Sequence, residues 1–189
     1  MSIDRIDNIF LKKELAQIND IIKHSPTSIH KDLGRKQFLH SPNLTFELEV
    51  KLTEIARKFS DKPLKFNNAL AVEYSPLYGK PNLPPHLDGS SDDLIINIQL
   101  ASNTVWDIGL NLQRYTLNDN SALVFNPNKE IHWRTHKQFK EGDYVRMLFV
   151  RFCNSENMSD YSYLRKEQNG PMFKDAIDFR DSYPQTNKA

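Results

Sequence analysis

Two residues near the middle of the chain, His86 and Asp88, have the types and spacing of a metal-binding pair. Side chains alternate between the two faces of an extended strand, so both would point the same way, with Leu87 opposite. An imidazole and a carboxylate on one face are natural ligands for one divalent metal ion, and such a site needs a further ligand from elsewhere in the chain. Because the His-x-Asp spacing is common by itself, the rest of the sequence must supply that ligand and its scaffold.

His132 and His136 are the candidates for the third ligand. His132 follows a turn after a short apolar segment, far enough beyond Asp88 for the chain to cross a barrel and return, and we favour it. His136 would replace it if the local strand continues or bends, and a solvated polar hairpin holding both is the alternative without a metal. Two histidines and one carboxylate on one face of the ion are typical of non-haem Fe(II) oxygenases.

Composition indicates an ordinary globular domain. The chain has 189 residues, 39% hydrophobic and 26% charged, enough for one well-cored domain. Its net charge of +1 gives no overall field that would favour nucleic acid or an anionic membrane. Cys153 is the single cysteine, so an intrachain disulfide is impossible. With no signal-peptide core and no apolar segment of membrane-spanning length, we expect a cytoplasmic protein without a membrane partner.

Helical spacing of apolar residues predicts two amphipathic helices in the first third of the chain. The first covers residues 4 to 23, and the second begins at Ser41-Pro42, an N-cap residue type followed by proline. Their apolar positions are Leu11, Leu15, Ile18 and Ile22 in the first helix, and Leu48, Leu52, Ile55 and Phe59 in the second.

After Pro63, short segments of alternating hydrophobicity separated by turn residues predict five to seven β-strands. They include Phe66 to Tyr74, the segment around His86, Leu94 to Leu100, Val105 to Leu112, Ala122 to Phe125 and Tyr144 to Phe152. Without intervening helices, this order favours a mainly β sandwich or barrel with N-terminal helices against one sheet. We expect residues 1–62 to support the same domain, 63–153 to form its β core, and 154–189 to be a C-terminal extension with a short helix near 172–179.

Arg146 lies in the last predicted strand, on the same face as Leu148, Val150 and Phe152. An arginine facing inward there would need an anionic partner, and its planar fork suits a carboxylate. The alternatives are an ion pair within the protein, or an inward face on the other side of the strand. That other face is apolar too, through Val145, Met147 and Phe149.

The set His86, Asp88, His132 and Arg146 resembles the 2-oxoglutarate- and Fe(II)-dependent dioxygenases, most closely their prolyl-hydroxylase-like branch. The resemblance extends from Phe66 to Phe152 and includes strand order as well as ligand types. The family's fold is a double-stranded β-helix, or jelly roll, buttressed by helices on one sheet, which agrees with the strand pattern. The number of residues between His132 and Arg146 is larger than in the prolyl-hydroxylase-like branch. The number between His136 and Arg146 is closer to the spacing in that branch.

The resemblance implies an oxygenase that binds Fe(II), consumes O2 and 2-oxoglutarate, releases succinate and CO2, and hydroxylates a C–H bond. Fe(II) would be held by His86, Asp88 and His132. The far carboxylate of 2-oxoglutarate would pair with Arg146, and other cosubstrate contacts would come from Tyr74, Asn97 and Gln99.

The substrate class is left open between a peptidyl group, such as a prolyl residue, and a small molecule. A nucleic-acid demethylase is disfavoured by the small net charge and the lack of a long basic and aromatic stripe. The alternative to an enzyme is a non-catalytic jelly-roll protein with a metal-binding or structural role. Arg146 is the sequence feature that favours the enzyme, because a structural protein has no need of an inward arginine facing the metal ligands.

Overall fold

A computed structural model describes residues 3–38, 44–88, 92–154 and 171–182. These residues form helices α1 (Lys12–His24), α2 (Phe46–Arg57) and α3 (Pro171–Ser182) and strands in two antiparallel sheets. The strands are β1 (Asp4–Asp7), β2 (Thr27–His30), β3 (Arg35–Phe38), β4 (Leu64–Tyr74), β5 (Leu94–Ser102), β6 (Ile108–Leu110), β7 (Gln113–Tyr115), β8 (Ser121–Phe125), β9 (His132–Arg134) and β10 (Val145–Asn154).

The larger sheet has seven strands in the order β1-β8-β5-β10-β4-β3-β2. Its central strands β4, β5 and β10 are long, and β5 is buried along nearly its whole length. Both faces of this sheet are covered, which is why these strands are apolar on both sides rather than alternating apolar and polar. Neighbouring strands that are far apart in sequence show that the chain crosses repeatedly between the two sheets.

The smaller sheet has the order β7-β6-β9, and an isolated bridge pairs His86 with His132 at its β9 edge. The segment that carries His86 therefore continues the smaller sheet. Two facing antiparallel sheets linked in this way form a double-stranded β-helix, and the fold class expected from the sequence is confirmed.

Two hydrophobic cores lie on opposite faces of the larger sheet. The helix-facing core joins α1 and α2 to the sheet, and among its buried residues are Ile18, Ile22, Leu48, Leu52, Ile96, Ile98, Leu148, Val150 and Phe152. The interior core lies between the two sheets and includes Val72, Tyr74, Trp106, Leu123, Phe125, Val145 and Met147. Together they fix β10 between a helical layer and the interior of the β-helix.

The N-terminal region contains more β-structure than its helical spacing predicted. Residues Asp4–Asp7 form β1 at one edge of the larger sheet, and α1 starts only at Lys12. A hairpin of β2 and β3 extends the opposite edge beside β4. These short edge strands have no apolar alternation of their own, since they are stabilised by pairing with a neighbouring strand.

Other boundaries also differ from the sequence prediction. Helix α2 keeps its predicted apolar face, whereas the Ser41-Pro42 start lies outside the described residues. Of the predicted strand Val105 to Leu112, only Ile108–Leu110 pairs as β6. Helix α3 packs Phe173 and Ala176 against the outer side of the smaller sheet. No helix among the described ranges is both long and apolar enough to cross a membrane.

Candidate active site

His86, Asp88 and His132 converge at one end of the interior. Asp88 Oδ1 lies 3.2 Å from His132 Nε2 and 3.6 Å from His86 Nε2. One ligand atom from each of the three residues lies within 4.8 Å of the others, close enough for all three to hold a single metal ion. The sequence therefore predicted the members of this cluster.

Backbone hydrogen bonds hold the cluster in register. His86 and His132 form an antiparallel bridge, with each amide donating to the other carbonyl at 3.0–3.1 Å. The Asp88 amide donates to the Pro127 carbonyl at 3.0 Å, in the turn that leads into β9. The metal-binding motif and the distal histidine are thus joined by main-chain bonds that do not depend on a bound ion.

Each histidine is oriented through its other ring nitrogen. His86 Nδ1 lies 2.8 Å from the Pro84 carbonyl, and His132 Nδ1 lies 3.1 Å from the Glu130 carbonyl. A carbonyl accepts only, so each Nδ1 carries a proton, and Nε2 is the ring nitrogen of each histidine that faces the cluster. Such a hydrogen bond from the second ring nitrogen is the usual support of a metal-binding histidine.

The electrostatics of the cluster suit a cation. Burial, reinforced by the nearby His132, lowers the pKa of His86 to about 4, so its imidazole is neutral at neutral pH. Burial opposes ionisation of Asp88, but the His132 hydrogen bond and the charges of His132, His86 and Arg151 outweigh it and lower its pKa to about 2. The cluster therefore combines a neutral His86 and an ionised Asp88 with the His132 imidazole, a ligand set that suits a divalent metal ion.

Arg151 lies beside the Asp88 carboxylate, near the oxygen that does not face the two histidines. Its Nη2 lies 3.7 Å from Asp88 Oδ2, and its Nε lies 3.7 Å from Asp92 Oδ2. Asp88 thus presents Oδ1 to the two histidines and Oδ2 to a cation. Sequence reasoning did not single out Arg151, although period-2 alternation places it on the same face of β10 as Met147 and Phe149.

A cavity of about 290 Å³ opens onto the cluster. His86, Asp88, His132, Tyr74 and Asn97 contribute to its wall. The Tyr74 hydroxyl and Asn97 Oδ1 are buried without a hydrogen-bond partner among the described residues. Unsatisfied polar groups in a cavity wall are typical of a site that binds a polar ligand.

No protein-family model matches the sequence, and no curated protein matches it in sequence. Solved structures match it in fold. The epimerase SnoN, in complex with Fe3+, alpha ketoglutarate and nogalamycin RO, covers 81% of this chain and 79% of its own at a TM-score of 0.64 and 10% identity. HygX from Streptomyces hygroscopicus, with nickel and 2-oxoglutarate bound, covers 86% and 89% at a TM-score of 0.60 and 10% identity. A viral collagen prolyl hydroxylase from Paramecium Bursaria Chlorella virus-1 covers 81% and 90% at a TM-score of 0.56 and 15% identity.

The fold is that of the 2-oxoglutarate/Fe(II) oxygenases. This agreement confirms the resemblance drawn from the sequence at the level of the fold.

Arg146 is not part of the site in this oxygenase fold. It shares a face with Leu148 and Val150, as expected, but that face packs against the helices. Its Nε and Nη2 donate to Glu73 Oε2 at 2.9 and 2.5 Å, and Glu73 lies directly opposite on β4. The assignment of Arg146 to the cosubstrate is therefore corrected. Both faces of β10 are apolar, so alternation alone could not tell which one lines the interior.

Of the other three residues predicted to contact the cosubstrate, two line the cavity and one does not. Tyr74 and Asn97 line the cavity. Gln99 lies on the same strand as Asn97, but its amide nitrogen donates to Ser102, to the Leu117 carbonyl and to Asp119, away from the cavity.

His136 also lies away from the cluster. Its Nε2 is 2.7 Å from Asp181 Oδ1 on α3, and its side chain is 40% exposed. The local strand ends at Arg134, so His136 does not reach the position that His132 holds.

Arg134 is a buried cation that sequence reasoning passed over. Only 1% of it is exposed, and it forms no ion pair with any of the described carboxylates. Its guanidinium donates to the Trp106 carbonyl and, at 3.2 Å, to Met147 Sδ. Burial lowers the pKa of Arg134 to about 10, which still leaves it charged at neutral pH. The available signal was alternation, because Arg134 shares its strand face with His132.

Proposed function

We propose that this protein is a 2-oxoglutarate- and Fe(II)-dependent oxygenase that hydroxylates a C–H bond and releases succinate and CO2. The convergence of His86, Asp88 and His132 on one cavity, within the fold of such enzymes, is the observation that carries the proposal. The alternative is a non-catalytic jelly-roll protein that binds a metal ion.

The three clustered residues would hold Fe(II), which supplies the site for O2 and for the chelating end of 2-oxoglutarate when bound. The protein's part is to orient both imidazoles, to keep His86 neutral and to keep the carboxylate ionised. Arg151 and the Pro127 carbonyl hold Asp88 in place. These contacts leave the open side of the cluster facing the cavity.

The far carboxylate of 2-oxoglutarate would need a cation, and Arg134 is our candidate: it lies behind the cavity wall, over Trp106, without lining the cavity itself. Tyr74 lines the cavity, and its ring packs edge-on against Trp106 with centroids 4.9 Å apart. The Arg134 guanidinium lies over the same Trp106 ring at 5.0 Å. A carboxylate at this end of the cavity would satisfy the Tyr74 hydroxyl and give Arg134 its missing anionic partner. Asn97 is a further polar contact along the cosubstrate.

The reaction would act on a peptidyl group, such as a prolyl residue, or on a small molecule. Structures of the same fold include both a prolyl hydroxylase and an epimerase in complex with nogalamycin RO. A cavity of about 290 Å³ has room for a small molecule or a single side chain besides the cosubstrate. A nucleic-acid substrate has no support in the net charge.

Calorimetry of 2-oxoglutarate against the Ni(II)-loaded protein is the first test. We expect binding that depends on the metal and is lost after chelation, because the cosubstrate coordinates the ion. Aerobic incubation with Fe(II) should then release succinate slowly even without a substrate.

Asp88→Ala is the matched variant. It removes the one anionic ligand, so metal binding and metal-dependent binding of 2-oxoglutarate should both be lost. Metal binding by the wild type without any 2-oxoglutarate binding would instead support the non-catalytic alternative.

A further inference from the structure

Arg35 is a cation in the cavity wall to which the proposed function assigns neither the metal nor the cosubstrate. Arg35 lies on β3, directly opposite Tyr74 on β4, and both side chains line the cavity. Arg35 therefore shares this cavity with His86, Asp88 and His132, and Arg151, which also lines the cavity, lies beside Asp88.

Arg35 has no anionic partner in the described part of the chain. Its Nε is buried and makes no hydrogen bond there. Arg151 differs, because it lies between the carboxylates of Asp88 and Asp92. The adjacent Lys36 also has a carboxylate, with Nζ 3.8 Å from Glu73 Oε1 on the other face of the sheet. Of these three neighbouring cations, Arg35 is the one for which the described residues supply no carboxylate partner.

Close backbone packing fixes Arg35 at the cavity. Gly34 precedes it in a left-handed conformation (φ +56°), and a Cβ there would overlap the backbone of Lys80 and Pro81. The Ser75 amide donates to the Gly34 carbonyl at 3.1 Å, and the Asn82 amide donates to the Leu33 carbonyl at 3.2 Å. The turn before β3 is thus bonded directly to the loop that leads into the metal motif.

Apolar side chains surround Arg35 in the cavity wall. Leu33, Leu70, Leu83 and Phe149 all contribute to it. An apolar wall with one unpaired guanidinium would recognise a ligand with an apolar body and one anionic group.

We propose that the primary substrate is an anion with an apolar body, whose carboxylate or phosphate group binds Arg35. This inference rests on the proposed function, because it takes the cavity to be where the substrate meets the metal. Arg134 serves the cosubstrate in that proposal, which leaves Arg35 for the substrate.

The test uses the protein loaded with Ni(II) and 2-oxoglutarate and two matched pairs of probes. Phenylacetate is compared with phenylacetamide, and phenyl phosphate with phenol, by calorimetry or ligand-observed NMR. A charge-assisted bond predicts that at least one anion binds about tenfold or more tightly than its neutral counterpart. The two pairs distinguish a carboxylate from a phosphate ester, and equal binding within both pairs would overturn the inference.

Arg35→Gln should abolish the preference for the anion, whereas Arg35→Lys should retain part of it. Lys36→Gln is the matched control, since it removes a charge from the next residue on the opposite face and should keep the preference. A preference that survives Arg35→Gln would overturn the inference. So would a loss of 2-oxoglutarate affinity of about tenfold in that variant, because Arg35 would then serve the cosubstrate.

The two proposals fail separately. If 2-oxoglutarate does not bind the metal-loaded protein, the proposed function fails. The probe pairs can then be measured on the protein loaded with Ni(II) but without 2-oxoglutarate, and they still test whether Arg35 binds an anion. If an Arg35 variant does not fold, the inference can still be refuted, because the comparison of anionic and neutral probes uses the wild-type protein.

Discussion

Arg146 and Arg134 are two arginines in the same β-helix with opposite surroundings. Arg146 lies on the helix-facing side of β10, where Glu73 accepts two hydrogen bonds from it and Tyr78 donates to the same carboxylate at 2.8 Å. Arg134 lies in the interior, fully buried, with a carbonyl, a thioether and an aromatic ring around it. One guanidinium is neutralised within the protein, and the other is not.

This difference separates a charge that is paired within the protein from a charge that has no counterion among the described residues. A buried cation without a counterion is costly unless something supplies the anion. Arg146 already has its anion in Glu73, so it has no capacity for a second. Arg134 has no such anion among the described residues, which is why we propose the interior rather than the helix-facing side as the place for a bound carboxylate.

Gly109→Ala should have the largest effect and should act on the smaller sheet, from its outer side under α3. Gly109 lies opposite Trp133 on β9, and a Cβ there would overlap the buried indole ring. Overpacking of this kind costs about 3 kcal/mol, or roughly 6–12 °C in thermal midpoint for a chain of this size. Since β9 carries both His132 and Arg134, affinities for Ni(II) and 2-oxoglutarate should fall as well. Wild-type stability and affinities in this variant would contradict the close packing.

Arg134→Met should weaken 2-oxoglutarate binding by about 2 kcal/mol, or roughly 30-fold, in calorimetry on the metal-loaded protein. The protein without ligand should be as stable as wild type or more stable, because an apolar side chain of similar length replaces an uncompensated charge.

The same substitution at Arg146 is the control for Arg134. Arg146→Met should leave 2-oxoglutarate affinity within about twofold of wild type. If it weakens 2-oxoglutarate binding more than Arg134→Met does, the comparison between the two arginines is reversed.

Glu73→Ala should destabilise the protein by about 1–2 kcal/mol, less than breaking a fully buried pair, because Arg146 keeps 29% of its side chain exposed. Thermal unfolding measures this, and 2-oxoglutarate affinity should not change. Glu54→Ala, at an exposed position of α2, is the matched control and should be nearly neutral. Equal effects of the two substitutions would show that the Arg146 pair contributes nothing.

A fall in pH should produce the smallest change in stability of the series, because it protonates the Glu73 carboxylate. Burial opposes its ionisation, but the hydrogen bonds from Arg146 and Tyr78 and the charges of Arg146 and Lys36 outweigh it and lower its pKa. A lowered pKa in the folded state means that the carboxylate stabilises the protein above the unfolded pKa near 4.5. That contribution is lost as pH falls through the lower, folded value. The difference in thermal midpoint between wild type and Glu73→Gln should therefore shrink below pH 4.5, and a constant difference would exclude this linkage.

Much of the fold was predictable because strand alternation and helix periodicity are local. The apolar faces of α1 and α2 and the long strands β4, β5 and β10 follow from residue order. The edge strands β1, β2 and β3 do not, since they are short and depend on pairing with a neighbouring strand. Arg35 was missed for that reason, because its part of the chain gave no strand signal.

The amino-acid sequence alone predicted the residues of the candidate metal site, with His132 favoured over His136 as the third member. His86 and Asp88 share a face through their spacing, and His132 follows the apolar segment that becomes β8. Only the tertiary structure decided which arginine is paired within the protein, because β10 is apolar on both faces and either face could line the interior. The helices cover the face that carries Arg146, and Glu73 neutralises it there. The smaller sheet covers the other face, and β9 brings Arg134 into that interior, where none of the described residues supplies a counterion.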